Sequence, residues 1–230
     1  VIIIVALLGL LLGTVLNQLI IWQLREPGEA TTSTSSGSLR WLPIVGAVSS
    51  RAWLALLVEA VTTVMAVVLW QYYGWTPRFW LLLAAALVLI DTGAIDWQVK
   101  LIDTLVMVVA TVVALACAPL IIGSWSRSLF GLIAAALVFV LVFVLAKVLY
   151  PGQQAPFGLG DVYLGMFIGA LLGLYRVGPA LFYGMSLAGL ASVGLLLMLG
   201  YKRARHIPIS YGSFLCLGVL IYLLVSPFPG

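Results

Sequence analysis

Residues Pro156–Gly173 read PFGLGDVYLGMFIGALLG. One carboxylate, Asp161, follows two glycines and opens an apolar run that carries no other charge. A surface helix of a soluble protein would keep a polar face, and this run keeps none, so hydrocarbon is its natural surrounding. The small residues of GMFIGALLG suit close helix packing as well as they suit a catalytic role.

The rest of the chain extends this reading. Of its 230 residues, 64% are hydrophobic and 8% charged, whereas soluble domains carry about a quarter charged residues. Apolar stretches of about 20 residues, enough to cross ~30 Å of hydrocarbon as helix, recur throughout. Pro and Gly stand inside several of them, as membrane helices tolerate, and no ten-residue alternation marks a barrel. We therefore expect an all-α polytopic membrane protein of about eight transmembrane helices. The spans fall near residues 1–22, 52–73, 78–95, 101–122, 128–149, 161–175, 178–200 and 209–227 of one membrane-embedded domain, 1–230. The first 22 residues show neither a basic n-region nor a small-residue cleavage site, so they read as a retained span. QLREPGEATTSTSSGSLRW, Gln23–Trp41, has the composition of a flexible loop and opens a polar segment that runs over 23–51.

With eight spans, Arg25, Arg40, Arg51, Lys100, Lys147, Lys202, Arg203 and Arg205 share one face, and Arg78, Arg127 and Arg176 the other. The basic excess puts the first face in the cytoplasm and both termini outside. Most of the net charge of +4 is this bias, which gives no reason to expect nucleic acid as a partner. YKRARH, Tyr201–His206, reads as a positive-inside anchor beside lipid headgroups. WQYYGW, from Trp70, reads as an interfacial aromatic belt. Cys117 and Cys216 form no CxxC pair and read as small buried hydrophobes. His206 is the only histidine, and no metal site is expected.

Glu26 and Glu29 belong to the polar loop, but Glu59, Asp91, Asp96, Asp103 and Asp161 lie in or beside apolar segments. A charge there is costly unless paired or hydrated, which makes function the leading explanation. An even number of crossings separates the aspartates at 91–103 from Asp161, so they share a face and can meet. Two carboxylates a few ångströms apart cannot both ionise easily and hold one proton between them. The ionised member can take a proton from water while the protonated one polarises a peptide carbonyl, the pair titrating as a unit. Gly158 and Gly160 would let the backbone bend sharply and a substrate strand approach. The plainer alternative makes Asp161 the N-cap of the next span. Two other classes compete: a small ion- or proton-coupled transporter using the intramembrane aspartates, and a structural subunit in which carboxylates pair helices.

GLGDVYLGMFIGALLG resembles the GxGD segment of type IV prepilin peptidases, bilayer-embedded aspartic proteases that remove leader peptides from pilin-like precursors. That family also has an aspartate, then a short polar stretch, then Leu/Ile-Pro-Asn/Asp before the next span. IDWQVKLIDTLV is similar: Asp96 takes the first position and Leu101-Ile102 the apolar pair, while Asp103 and Thr104 stand where Pro and Asn/Asp are usual. GLLLGTVLNQLI resembles the family's opening Gly-Ser-Phe-x-Asn stretch through Gly13, Thr14 and Asn17, and LPIVGAV with LLVEA resembles the approach to its second span, with Glu59 as the acid. RHIPISYGSFLCLG resembles its Ile-Pro-Phe-Gly-Pro-Phe-Leu stretch, with two extra residues and Ser213 for the second Pro. The likeness spans most of the chain, and its specificity rests on the two aspartate segments. The paired CxxC motifs that many relatives carry in the first cytoplasmic loop are absent.

The resemblance implies a peptidase with Asp96 and Asp161 as catalytic carboxylates at the cytoplasmic face of the inner membrane. Gly158 and Gly160 belong to the motif, Asp91 replaces or supports Asp96, and Asp103 is solvated beside Lys100. Asn17 and Glu59 bind substrate or hold helices together. The implied partners are membrane lipids and a prepilin-like precursor, whose basic leader ends in Gly before a hydrophobic helix. Proteolysis needs no cofactor; S-adenosylmethionine would serve only the family's second activity, methylation of the new N-terminus, and no Gly-rich nucleotide loop is visible for it.

Overall fold

The computed structural model describes residues 1–24, 53–149, 158–200 and 210–228. Among them every element is a helix: α1 (Ile2–Gln23), α2 (Trp53–Tyr73), α3 (Pro77–Val99), α4 (Thr104–Ala116), α5 (Ala118–Ile122), α6 (Trp125–Leu149), α7 (Leu159–Leu172), α8 (Leu174–Leu199) and α9 (Tyr211–Val225). Five of these described helices, α1, α2, α3, α6 and α8, are long and apolar enough to cross a membrane, and α4, α7 and α9 are shorter apolar helices. The chain is an all-α polytopic membrane protein. The 23–51 loop and the YKRARH segment lie almost wholly outside the described residues.

Two expected spans come out differently from a simple rod. The segment 101–122 is broken at Cys117, where α4 closes and α5 starts with a proline in its first turn. That turn has no intrahelical use for the N–H that Pro119 lacks. Cys117 is therefore half-buried at a junction, whereas Cys216 is buried. Helix α7 has 14 residues, about 21 Å of helix against ~30 Å of hydrocarbon. Its residues from Phe167 to Leu172 are all buried, and it packs on α4, α6, α8 and α9. Protein surrounds it, so its length need not match the bilayer. Gly173 ends it at φ 73°, ψ 171°, a conformation that favours glycine, and the chain turns directly into α8.

The chain divides into two compact units, Val1–Ile95 and Asp96–Gly230. In the first, α1 lies against α2 through Gly9 and Gly13, whose added Cβ atoms would come within 2.8 Å of Thr63 Cα and Glu59 Cα. Such four-residue spacing of small residues lets backbones approach closely. One polar contact accompanies it: Asn17 Nδ2 donates to Ala55 O at 3.0 Å and to Glu59 Oε1 at 3.3 Å. Trp70, Trp75, Phe79 and Trp80 stack in sequence around the α2–α3 turn.

In the second unit, α6 and α7 run antiparallel. Gly131 meets Gly169 and Gly173, Phe139 meets Gly165, and Ser128 Oγ donates to Ala170 O at 2.6 Å. The glycines of GMFIGALLG thus serve helix packing. Helices α8 and α9 cross at Gly184 and Gly218. Arg176 Nη1 donates to the carbonyls of Ser226 and Pro227 at the end of α9 and lies 4.4 Å over the Phe228 ring. The antiparallel pairing puts Lys147, in the last turn of α6, at the end where α7 begins, and Arg127 at the other end.

Candidate active site

Asp96 lies in the last turn of α3 and is 5% exposed. The helix closes over it through the Lys100 N–H, which donates to Asp96 O at 3.0 Å, with Lys100 itself left-handed at φ 58°. The side chain turns away from its own helix and onto the start of α9. There Asp96 Oδ2 accepts from Ser213 N at 2.7 Å and Ser213 Oγ at 2.8 Å. Ser213 is the third residue of α9, so its N–H is one of the first-turn donors with no partner inside the helix. The N-cap residue Ser210 makes no side-chain cap bond; its hydroxyl accepts instead from Lys100 Nζ. Trp97 completes the junction edge-on against Phe214, with ring centroids 6.1 Å apart.

Asp161 is the third residue of α7 and half-buried. Gly158 N donates to Asp161 Oδ2 at 2.9 Å, and Asp161 N donates back to Gly158 O at 3.2 Å. The carboxylate therefore reaches back to the N-cap from inside the first turn, as an acid at N3 does, rather than being the cap. The two motif glycines are not used for a sharp bend. Gly158 is extended, at φ −96° and ψ 165°, and an added Cβ would meet no described atom nearer than 3.8 Å, the nearest being Asp161 Oδ2 and Gly160 N. Gly160 is required by contact, because its Cβ would lie 2.8 Å from Ile102 Cβ.

Ile102 ties the two starts together. It lies against Gly160 on α7 and, through Cδ1 at 2.9 Å from a Cβ added at Gly212, against α9. The same added atom would stand 3.1 Å from Asp96 Cγ and Oδ2. Ile102 thus lies against Gly160, which precedes Asp161, and against Gly212, which borders Asp96, and each carboxylate stands at the start of a short apolar helix whose positive pole favours an anion.

The remaining candidates lie elsewhere. Asp103 is exposed and caps α4, its Oδ1 accepting from Leu105 N at 2.8 Å and Val106 N at 3.4 Å. Asp91 is 6% exposed and belongs to the first unit. On a regular helix, side chains five residues apart leave the axis about 140° apart, so Asp91 does not share the direction of Asp96. Asn17 and Glu59 bond each other within the first unit. The described residues hold no group of three or more His, Cys, Asp or Glu able to bind a metal ion.

Reading the sequence did not find the roles of Ser213, Gly212 or Ile102. Their signal is weak: a serine three residues after Ser210 at the head of an apolar run, and a glycine beside it. No family model matches the chain, and no curated protein or solved structure matches it either.

Proposed function

We propose that this chain is a membrane aspartic endopeptidase that cleaves the N-terminal leader from type IV prepilin-like precursors. Asp96 and Asp161 would form its dyad at the cytoplasmic face of the inner membrane. The observation that carries the reading is that Ile102 lies against both Gly160, which precedes Asp161, and Gly212, which borders Asp96. The basic residues support the orientation: Lys100 and Lys147 stand at the end of the second unit that holds both aspartates, Arg127 and Arg176 at the other.

With one proton between the two carboxylates, the ionised one takes a proton from water as its oxygen attacks the scissile carbonyl. The protonated one donates to the carbonyl oxygen, giving a neutral tetrahedral diol. Collapse returns the oxygen's proton to a carboxylate and passes another to the departing nitrogen. The products are the leader's new carboxylate and a new amino terminus, and the dyad again holds one proton. Hydrolysis by these residues needs no S-adenosylmethionine; methylating the new N-terminus would be a separate reaction.

The test is cleavage, in membranes or liposomes, of a prepilin-like substrate whose basic leader ends in glycine. Asp96→Asn and Asp161→Asn should each reduce cleavage by about 10²-fold or more with unchanged protein level and helicity. Full activity in either variant removes that residue from the dyad.

A further inference from the structure

We infer that Ser213 is a positioning residue for Asp96, an inference that rests on the reading of Asp96 as half of a peptidase dyad. Asp96 is placed awkwardly by its own helix. It stands in the last turn of α3, where the exposed carbonyls make the negative pole and disfavour a carboxylate. The start of α9 offers the opposite pole, and the side chain has turned to it.

What fixes the carboxylate is the number and direction of donors it meets. Ser213 N and Ser213 Oγ converge on the same oxygen, Oδ2, at 2.7 and 2.8 Å. The backbone N–H alone would hold that oxygen at one point and let the carboxylate plane swing about it. The hydroxyl approaches from a second direction, and Gly212 closes the near side, leaving 3.1 Å to where a Cβ would stand. Together they set the plane in which Oδ1 is presented, and hence its angle to the water or carbonyl it must serve. Backbone donation survives replacement by any residue except proline, whereas the hydroxyl requires Ser or Thr. The two contributions can therefore be separated.

Misplacing a reacting group by about 1 Å can cost ~10²-fold in rate. Losing one of two donors loosens Asp96 without releasing it, so the expected loss is smaller. Ser213→Ala should lower kcat about 10-fold with KM within about 2-fold, and Ser213→Thr should restore most of it. A residue that only stabilised the fold would instead lower yield and melting temperature while leaving kcat per folded molecule unchanged. That result, or failure of Thr to rescue, overturns the assignment.

A second readout does not depend on turnover. In protein labelled with ¹³C-carboxyl aspartate, infrared difference spectra should show one carboxylate band that moves in Ser213→Ala and is missing from Asp96→Asn. No movement of that band removes the hydrogen bond, and the inference with it. If the band moves but wild-type protein cleaves no prepilin-like substrate, the contact stands and the peptidase reading falls, taking the positioning role with it.

Discussion

Gly158 and Gly160 stand two residues apart and answer to different constraints. A methyl group at Gly160 would press within 2.8 Å of Ile102 Cβ, on a β-branched side chain with little rotamer freedom. Ile102 cannot yield without disturbing its contact with Gly212, which borders Asp96. Gly160→Ala should therefore lower cleavage about 10-fold or more, on the scale expected for ångström-level displacement of a reacting group. Gly158→Ala meets only ordinary contacts at 3.8 Å among the described residues, in an extended backbone, and should stay within about 3-fold of wild type, since no close contact or strain opposes it. Steady-state rates on matched amounts of folded protein decide the pair, and equal losses would show that Ile102 does not couple Gly160 to the site. Both glycines could be picked out in the sequence because they precede a lone carboxylate. The reason one of them matters could not, because it depends on a residue some sixty positions earlier, and no local pattern records that contact.

At the scale of elements, hydropathy alone disclosed where the described apolar helices lie, because each segment's preference for hydrocarbon is a local property. It did not disclose that α7 is enclosed by protein, or that 101–122 breaks at Cys117. A residue facing protein and one facing lipid are equally apolar, so sequence does not distinguish the two. Glycine spacing carries the missing information once the partners are known. At Gly169 an added Cβ would lie 2.3 Å from Gly131 O, a backbone atom that cannot step aside. Gly169→Ala should destabilise the second unit by about 1–3 kcal/mol, as overpacking does, read as a lower denaturant midpoint in micelles. Among the described residues, nothing lies within 4 Å of a Cβ added at Gly189 or Gly194 on α8. Alanine at either should be neutral or stabilising by up to about 1 kcal/mol through helix propensity. A Gly169→Ala protein as stable as wild type would mean that α6 and α7 do not meet at these glycines.

For the whole molecule, counting crossings allowed Asp96 and Asp161 to share a face but did not require them to meet. In the structure α6 and α7 run antiparallel in close contact, Ile102 lies against both Gly160 and Gly212, and α9 offers its first turn to the Asp96 carboxylate. None of these has a sequence signature as strong as a twenty-residue apolar run. The arrangement makes the pH dependence of cleavage the sharpest test of whether the two act together. A dyad that must hold one proton fails at low pH, where both members are protonated and neither can take a proton from water. It also fails at high pH, where both are ionised and neither can donate to the carbonyl. The profile of kcat/KM for the reconstituted protein should therefore rise and fall, its two limbs belonging to the pair rather than to either residue. Cleavage that only rises with pH to a plateau would describe a single carboxylate base, and Asp96 and Asp161 would then be neighbours without a common reaction.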